Sequence, residues 1–532
     1  MPVPAKTYAT SRFRQLTGAV LLFLLAAPSL FARGPGPALR IPLDSLGYQP
    51  QTTQFLLAGG SMLTVDYVDG RHLLLTFGVH KLMERIADDP PGDDDRIVEA
   101  VLLEVPSGRV LARTDWRLHD NGQYLWGLGH GRFLLRVRDT MTTFAPLANL
   151  ASGQPFLERP LLTTTRHIGA LLLSPESDLL IVESVERTPP VPPPATPLFG
   201  PTPKPTPTPR GRPGDSNPVA LSFYRLSFLG KDGDEVRPAL AGVAHSVDFG
   251  EVAATGAGHV AIVDEGRLHW GFNFQPYMGN ARELASFDSS CRPTPRFVSS
   301  SEFVAFGCHG GMNARVLGGF NMRGEEMWEQ SLDGDFAATW LTFAPSSGRF
   351  ALGRVLGEGI ADQTQPIPAA AFTGQSVVVY QMESGKQLLH VDCSPIERAG
   401  QNFALSPDGM NLAVIREGAI EIYDLPPLSP KDLAEVKEAR ALVPEESVLP
   451  IQFSAPSQAP ATAGVSPSES NAASPPATSA SPDVPKAASV PHSTPAPQPP
   501  ASSAPAGDTE QEQPHKPPTL YTLPDDPAKE TK

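Results

Sequence analysis

The chain has 532 residues, 57 acidic and 42 basic, for a formal net charge of −15. That balance excludes a basic nucleic-acid binder as the default, because phosphate backbones are held by clustered Lys and Arg. Proline is the abnormal count: 59 residues, about 11 % against roughly 5 % in average usage. Thirteen prolines fall in 189–218 and 23 in 426–532. The rest reads as a globular body of roughly 350 residues, long enough for a large core.

In chain order, the first segment reads as a targeting sequence over residues 1–32. Lys6, Arg12 and Arg14 form a positive start, Gly18 to Ala27 is an apolar run, and small residues offer cleavage after Ser29 or Ala32. The run is short for a bilayer crossing, which takes about 20 residues. An uncleaved N-terminal anchor is the alternative. The expectation is export to a periplasmic or secreted location, with no transmembrane span after cleavage.

Residues 33–424 show short runs of Val, Leu, Ile, Phe and Tyr broken by Gly, Pro, Asp and Ser, an all-β signature. Two patterns recur. The first is a hairpin around Ser-Pro: Leu171 to Val182, Leu341 to Leu352 (with Ala-Pro), and most clearly Phe403 to Val414. Pro presets the backbone for the turn and Asp-Gly supplies the reversal. The second is a hairpin around Ser-Gly, over Val101 to Leu111 and Val378 to Leu389, with a looser copy at Phe320 to Trp328. Both patterns repeat after about 60 residues, or about 47 once the polar loop near 361–374 is set aside, close to the ~40–45 of a four-stranded propeller blade.

Phe403 to Val414, followed by Ala419 to Asp424, resembles a blade of the WD-repeat-like β-propellers of bacterial exported proteins, and the Ser-Gly hairpins with Trp328 resemble quinoprotein-like repeats. The resemblance covers roughly 50–425 and implies a single β-propeller of about seven four-stranded blades, with six and eight as neighbouring counts. Strand groups near 60–80, 125–145, 167–184, 219–262, 264–308, 317–356 and 376–424 supply the blades. The proline-rich stretch 186–218 is expected as a disordered surface loop between two strands of one blade, where long insertions cost little. Its Thr202 to Arg210 portion reads as polyproline II.

Beyond Asp424, a short helix over Lys431 to Val443 and a linker are expected through residue 453. From Ser454 to Thr519 there is no Leu, Ile, Met, Phe, Trp or Tyr, so 454–532 is expected to be a disordered tail. Leu520 to Pro524 is the only apolar group at its end.

Chemistry-bearing residues are sparse. Cys291 and Cys308 flank a strand-like hairpin and are a candidate disulfide, which would contribute on the order of 3 kcal/mol by restricting the unfolded chain. Two buried free thiols are the alternative, and Cys393 is expected as a buried odd thiol. Asp88, Asp89, Asp93, Asp94 and Asp95 could offer oxygen ligands to calcium, but their spacing matches no defined loop and Pro90-Pro91-Gly92 marks a solvated turn. No two histidines sit at zinc-ligand spacing with a Cys or Glu partner. His309 adjoins Cys308, without implying side-chain reach. No catalytic, cofactor-binding or metal residue is therefore nominated, and Trp328 is expected to pack between blades.

The expected function is a monomeric, non-enzymatic scaffold binding a protein or glycan partner in the cell envelope, with no nucleic acid and no cofactor. The alternative is a periplasmic hydrolase, lyase or quinone-dependent oxidoreductase with its site in the central funnel.

Overall fold

Every strand in the body carries apolar residues on both of its faces, so each sheet must be covered on both sides. The computed structural model describes residues 36–49, 62–79, 96–119, 123–186, 218–229, 235–246, 252–277, 279–309, 315–332, 336–357, 371–393, 396 and 401–444. These form seven antiparallel sheets of four strands each, the blades of a propeller.

Blade 1 is β2 (Thr64–Asp69), β3 (His72–Val79), β4 (Arg96–Glu104) and β5 (Arg109–Leu118). Blade 2 is β6 (Leu125–Gly129), β7 (Arg132–Val137), β8 (Thr140–Phe144) and β9 (Arg159–Thr163). Blade 3 is β10 (His167–Leu173), β11 (Leu179–Val185), β12 (Val219–Leu229) and β13 (Glu235–Ser246). Blade 4 is β14 (Ala254–Thr255), β15 (Gly258–Gly266), β16 (His269–Pro276) and β17 (Arg282–Asp288). Blade 5 is β18 (Thr294–Ser299), β19 (Glu302–Cys308), β20 (Arg315–Asn321) and β21 (Glu326–Leu332). Blade 6 is β22 (Phe336–Ala344), β23 (Arg349–Gly357), β24 (Phe372–Gln381) and β25 (Gln387–Cys393). Blade 7 is β26 (Phe403–Leu405), β27 (Asn411–Arg416) and β28 (Ala419–Asp424), completed by β1 (Leu39–Pro42) from the other end of the chain.

The expected count of seven is what the structure has, but four strand groups straddle blade boundaries. β12 and β13 belong to blade 3 rather than with residues up to 262, and β24 and β25 belong to blade 6, since blade 7 begins at Phe403. The proline-rich insertion falls between β11 and β12, which pair directly, so it lies between two strands of one blade, as expected. Counting runs between loops therefore displaced the boundaries. The insertion itself, residues 1–32 and residues 445–532 lie outside the described residues, and with them the expected targeting sequence, loop and tail.

There is no single core. Seven apolar clusters each occupy one seam between neighbouring blades. Alternate residues of one strand serve opposite seams: Leu73, Leu75 and Phe77 face blade 7, while Leu74 faces blade 2. This two-sided burial makes the strands read as unbroken apolar runs instead of alternating ones. The seam between blades 4 and 5 is aromatic. Phe303 meets Phe272 at 5.4 Å, Phe297 at 5.7 Å and Phe320 at 5.2 Å between ring centroids.

The two sequence patterns are the two kinds of turn at one end of the ring. Ser-Pro turns join first to second strands, and Ser-Gly turns join third to fourth. In blade 7, Ser406 Oγ accepts from the backbone N–H of Met410 (3.1 Å) and Asn411 (2.9 Å). Gly409 follows with φ of 67°, a left-handed conformation that favours glycine. The blade 6 copy replaces this serine with Ala344 and turns through a short 3-10 segment, Pro345–Ser347.

The chain leaves at the same turn end. Arg349, wholly buried, donates to the carbonyls of Gly409 (2.7 Å) and Pro426 (2.6 Å) and to Gln381 Oε1 (3.2 Å), pinning the exit segment to blades 6 and 7. The helix α1 (Pro430–Arg440) follows, a little shorter than the expected Lys431 to Val443. Ser429 and Asp432 form a reciprocal capping box at its start. Glu438 pairs with Arg323 of blade 5 at 2.9 Å, and Val436 and Ala439 are buried beneath it.

Truncating Phe303 to alanine removes a ring that three others touch. The expected loss is about 3–5 kcal/mol in urea unfolding, whereas the exposed Leu268→Ala should change stability by less than about 0.5 kcal/mol.

Candidate functional site

The first strand of every blade lies at the centre of the ring, and residues of all seven of these strands line a central cavity of about 1650 Å3. Its walls mix aromatic and charged groups: Tyr67, Trp126, Phe306, Trp340 and Phe403 among the former, Asp66, Arg296 and Arg315 among the latter.

Strand direction places three carboxylates at the turn end, where Arg132 also lines the cavity. The first strands run towards the turn end, so Asp69 closes β2 there, and Glu176 and Asp408 sit in the turns of blades 3 and 7. These carboxylates are held in place. Asp69 accepts from Arg71 N–H (2.7 Å) and faces His72 (2.9 Å). Asp408 accepts from Ser406 (2.5 Å) and Met410 N–H (3.0 Å). Glu176 reaches past the blade 4 turn to accept from Ser300 N–H of blade 5 (3.0 Å) and from its hydroxyl. Burial raises the Glu176 pKa, and these hydrogen bonds oppose the rise. Arg296, early in β18, and Arg315, first in β20, place cations towards the opposite, connection end.

Asp66 lies midway along β2 on the cavity wall, and burial pushes its carboxyl up to about 7. Behind it Tyr124 donates to the Met62 carbonyl (2.6 Å) and bonds Thr76 (2.6 Å), which bonds Thr64 (2.7 Å). Outside the cavity, two carboxyls are raised to near or above neutrality. Glu302, buried at the start of β19, is pushed up to about 8 by burial and by the nearby charge of Glu383. Glu383 itself rises to about 7, through burial first and then the charges of Glu435 and Asp432.

Cys291, just ahead of β18, and Cys308, last in β19, are joined by a disulfide with Cα atoms 5.5 Å apart. The β18–β19 hairpin supplies this proximity. Cys393 is a buried free thiol in the seam between blades 6 and 7. His309 Nε2 lies 3.2 Å from the Asp288 carbonyl and 3.8 Å from Glu329, so the neighbours Cys308 and His309 form no nucleophile–base pair. Trp328 packs between blades 5 and 6, stacked 6.4 Å from both Phe350 and Tyr380, and donates to the Met382 carbonyl at 2.5 Å. A Cβ at Gly319 would overlap its ring. Asp88, Asp89, Asp93, Asp94 and Asp95 lie outside the described residues. Among the described residues no three His, Cys, Asp or Glu side chains gather to hold a metal ion, and no helix is long and apolar enough to cross a membrane.

Sequence reasoning missed Asp66, Glu302, Arg296 and Arg315. Their only signal is a charge inside a run that otherwise reads as buried strand, as in Thr-Val-Asp-Tyr-Val-Asp over 64–69.

No known family and no curated protein matches the chain. Solved structures resemble it only distantly. Chaetomium thermophilum Sqt1, bound to the N-terminus of ribosomal protein L10, is 11 % identical with a TM-score of 0.35, over 69 % of this chain and 97 % of that one. A structure from an analysis of two prolyl endopeptidases gives 11 % and 0.34, over 78 % and 56 %. Kuenenia stuttgartiensis hydrazine synthase gives 11 % and 0.28, over 75 % and 86 %. No argument about function is drawn from likenesses this remote.

The raised carboxyls set a pH dependence. A group such as Glu302 binds its proton more tightly folded than unfolded, so stability falls as pH rises from about 4.5 to about 8. Glu302→Gln should be stabilising by at least about 1 kcal/mol at pH 8 and near neutral at pH 5 in chemical denaturation. Equal effects at the two pH values would refute the assignment.

Proposed function

We propose that this protein is an exported, non-enzymatic scaffold of the cell envelope whose propeller holds a protein or glycan partner at the turn-end mouth of its central cavity. The observation that carries the reading is that mouth: turns from separate blades, fixed by their own side-chain hydrogen bonds, bring Asp69, Glu176 and Asp408 around one opening. Rigid turns lose little entropy on binding, so contacts made there convert efficiently into affinity. The acidic rim favours a partner surface bearing cations or hydroxyl donors. Export rests on the positive start and apolar run of residues 1–32, and the Pro/Ala/Ser tail serves as tether.

A second reading places an enzyme in the same cavity. Asp66 favours it, because a carboxyl on a cavity wall with a pKa near 7 is suited to proton transfer. Asp66→Asn would then abolish turnover while leaving partner capture intact.

The test is affinity capture from envelope extract with the full chain, a form ending at Pro444, and Glu176→Gln. The shortened form must keep Pro426, whose carbonyl satisfies Arg349. Retention of one protein or saccharide by the first two, reduced severalfold by Glu176→Gln, is the expected result. A partner lost with the tail, or substrate turnover by the purified protein, would overturn the proposal.

A further inference from the structure

The first strands of blades 1 and 2 leave a notch between them in the cavity wall. Residues directly opposite each other on paired strands share a sheet face, so the register fixes which way each one points. Asp66 is opposite Leu74, which belongs to the cluster packed between blades 1 and 2. Gly127 of β6 is opposite Phe133, a member of the same cluster. Asp66 and Gly127 therefore face one seam from its two sides, and both line the central cavity. A Cβ on Gly127 would meet nothing within 4 Å, so the place of a side chain there is open space. Tyr124, bonded to Met62 and Thr76, closes the notch at one end. At the other end the blade 2 turn lies against Val68, and a Cβ on Gly131 would come within 3.2 Å of the Val68 carbonyl oxygen.

The carboxyl in this notch lacks a counter-charge. Among the described residues Asp66 makes no hydrogen bond or ion pair, and burial alone raises its pKa. Arg132 and Arg136 of β7 are turned away. They flank Leu134, which packs in the seam towards blade 3, and Arg136 donates to the Ile168 carbonyl of that blade at 2.7 Å. His72, in the same row as Leu74, faces Asp69 at 2.9 Å. The other charges along the cavity wall come from different blades: Glu183 from blade 3, Arg296 and Arg315 from blade 5.

We propose that the notch binds the primary ammonium group of an aliphatic amine, with Asp66 as its counter-charge and Val68 and the Gly127 backbone flanking its methylenes. An ammonium is a compact point charge, which one carboxylate and one vacant side-chain position accommodate; a planar guanidinium is broader, and calcium takes six to eight oxygen ligands. A cation beside Asp66 also favours the ionised form that burial disfavours. The amine is either a small free molecule or the lysine side chain of a protein. The site lies inside the cavity and does not rest on the scaffold reading, whose contacts are the carboxylates of the mouth.

The full chain is titrated at pH 8 with n-butylamine, Nα-acetyl-lysine amide and neutral n-butanol, followed by calorimetry and by tryptophan fluorescence, since Trp126 lines the cavity. Saturable binding of at least one amine is expected, with n-butanol inert; the tighter amine tells a free molecule from a lysine side chain. Asp66→Asn should weaken that binding at least about tenfold, the loss expected for a hydrogen bond to a charged group. Gly127→Val keeps the carboxyl but fills the notch, and should weaken it as much without lowering the unfolding temperature. Glu235→Gln, on the outer strand of blade 3 and paired with Arg237, should leave it unchanged. Should Asp66→Asn fail to fold, Gly127→Val carries the same expectation. The proposal is overturned if neither amine binds saturably in the millimolar range, if n-butanol binds as well, or if either folded cavity variant binds the amine as the parent does.

Discussion

The ring depends on a pairing between its first and last described strands. β1 lies antiparallel to β28, with Leu39 opposite Ile422 and Pro42 opposite Ala419, so blade 7 is complete only when the first described strand meets the last. A buried carboxylate, Glu421, ties the seam: Arg40 of β1 reaches it at 2.9 Å, Arg416 of β27 at 3.1 Å, and Tyr423 donates to it at 2.6 Å. Ile41 enters the cluster shared by blades 7 and 1, so the same four residues that supply the ladder also fill the last seam. Without them an apolar face and a strand edge would both meet water, and edges of that kind are what closed rings remove.

Closure dictates where polar groups can go. Both faces of each blade are committed to neighbours, which leaves the cavity wall, the two ends of the ring and the outer edges for charge. Asp69, Glu176 and Asp408 at the turn end, and Arg296 and Arg315 on the cavity wall, lie where that restriction leaves room for charge. Two of the buried polar groups show what such residues do here. Arg349 satisfies three acceptors from blades 6 and 7 and the exit segment, and Glu421 holds the closure.

The cavity is therefore shaped by the fold and decorated by few residues. Its aromatic groups come from several blades, and a carboxyl raised to about 7, Asp66, comes from blade 1. Proximity of such groups is a property of the closed ring. No local segment of the chain contains it.

The sequence alone pointed to the all-β class, the two turn motifs, a count of about seven blades and the candidate disulfide, because each rests on local chemistry: apolar runs, Pro and Gly backbone preferences, and cysteines flanking one hairpin. Blade boundaries were misplaced because they depend on which strand pairs with which, and the long insertion inside blade 3 hides the period there. Only the tertiary structure decided which charges share the cavity, and why Glu302 and Asp66 are raised. Those facts arise from burial and Coulomb interactions between strands far apart in the chain, and spacing in sequence carries no trace of them.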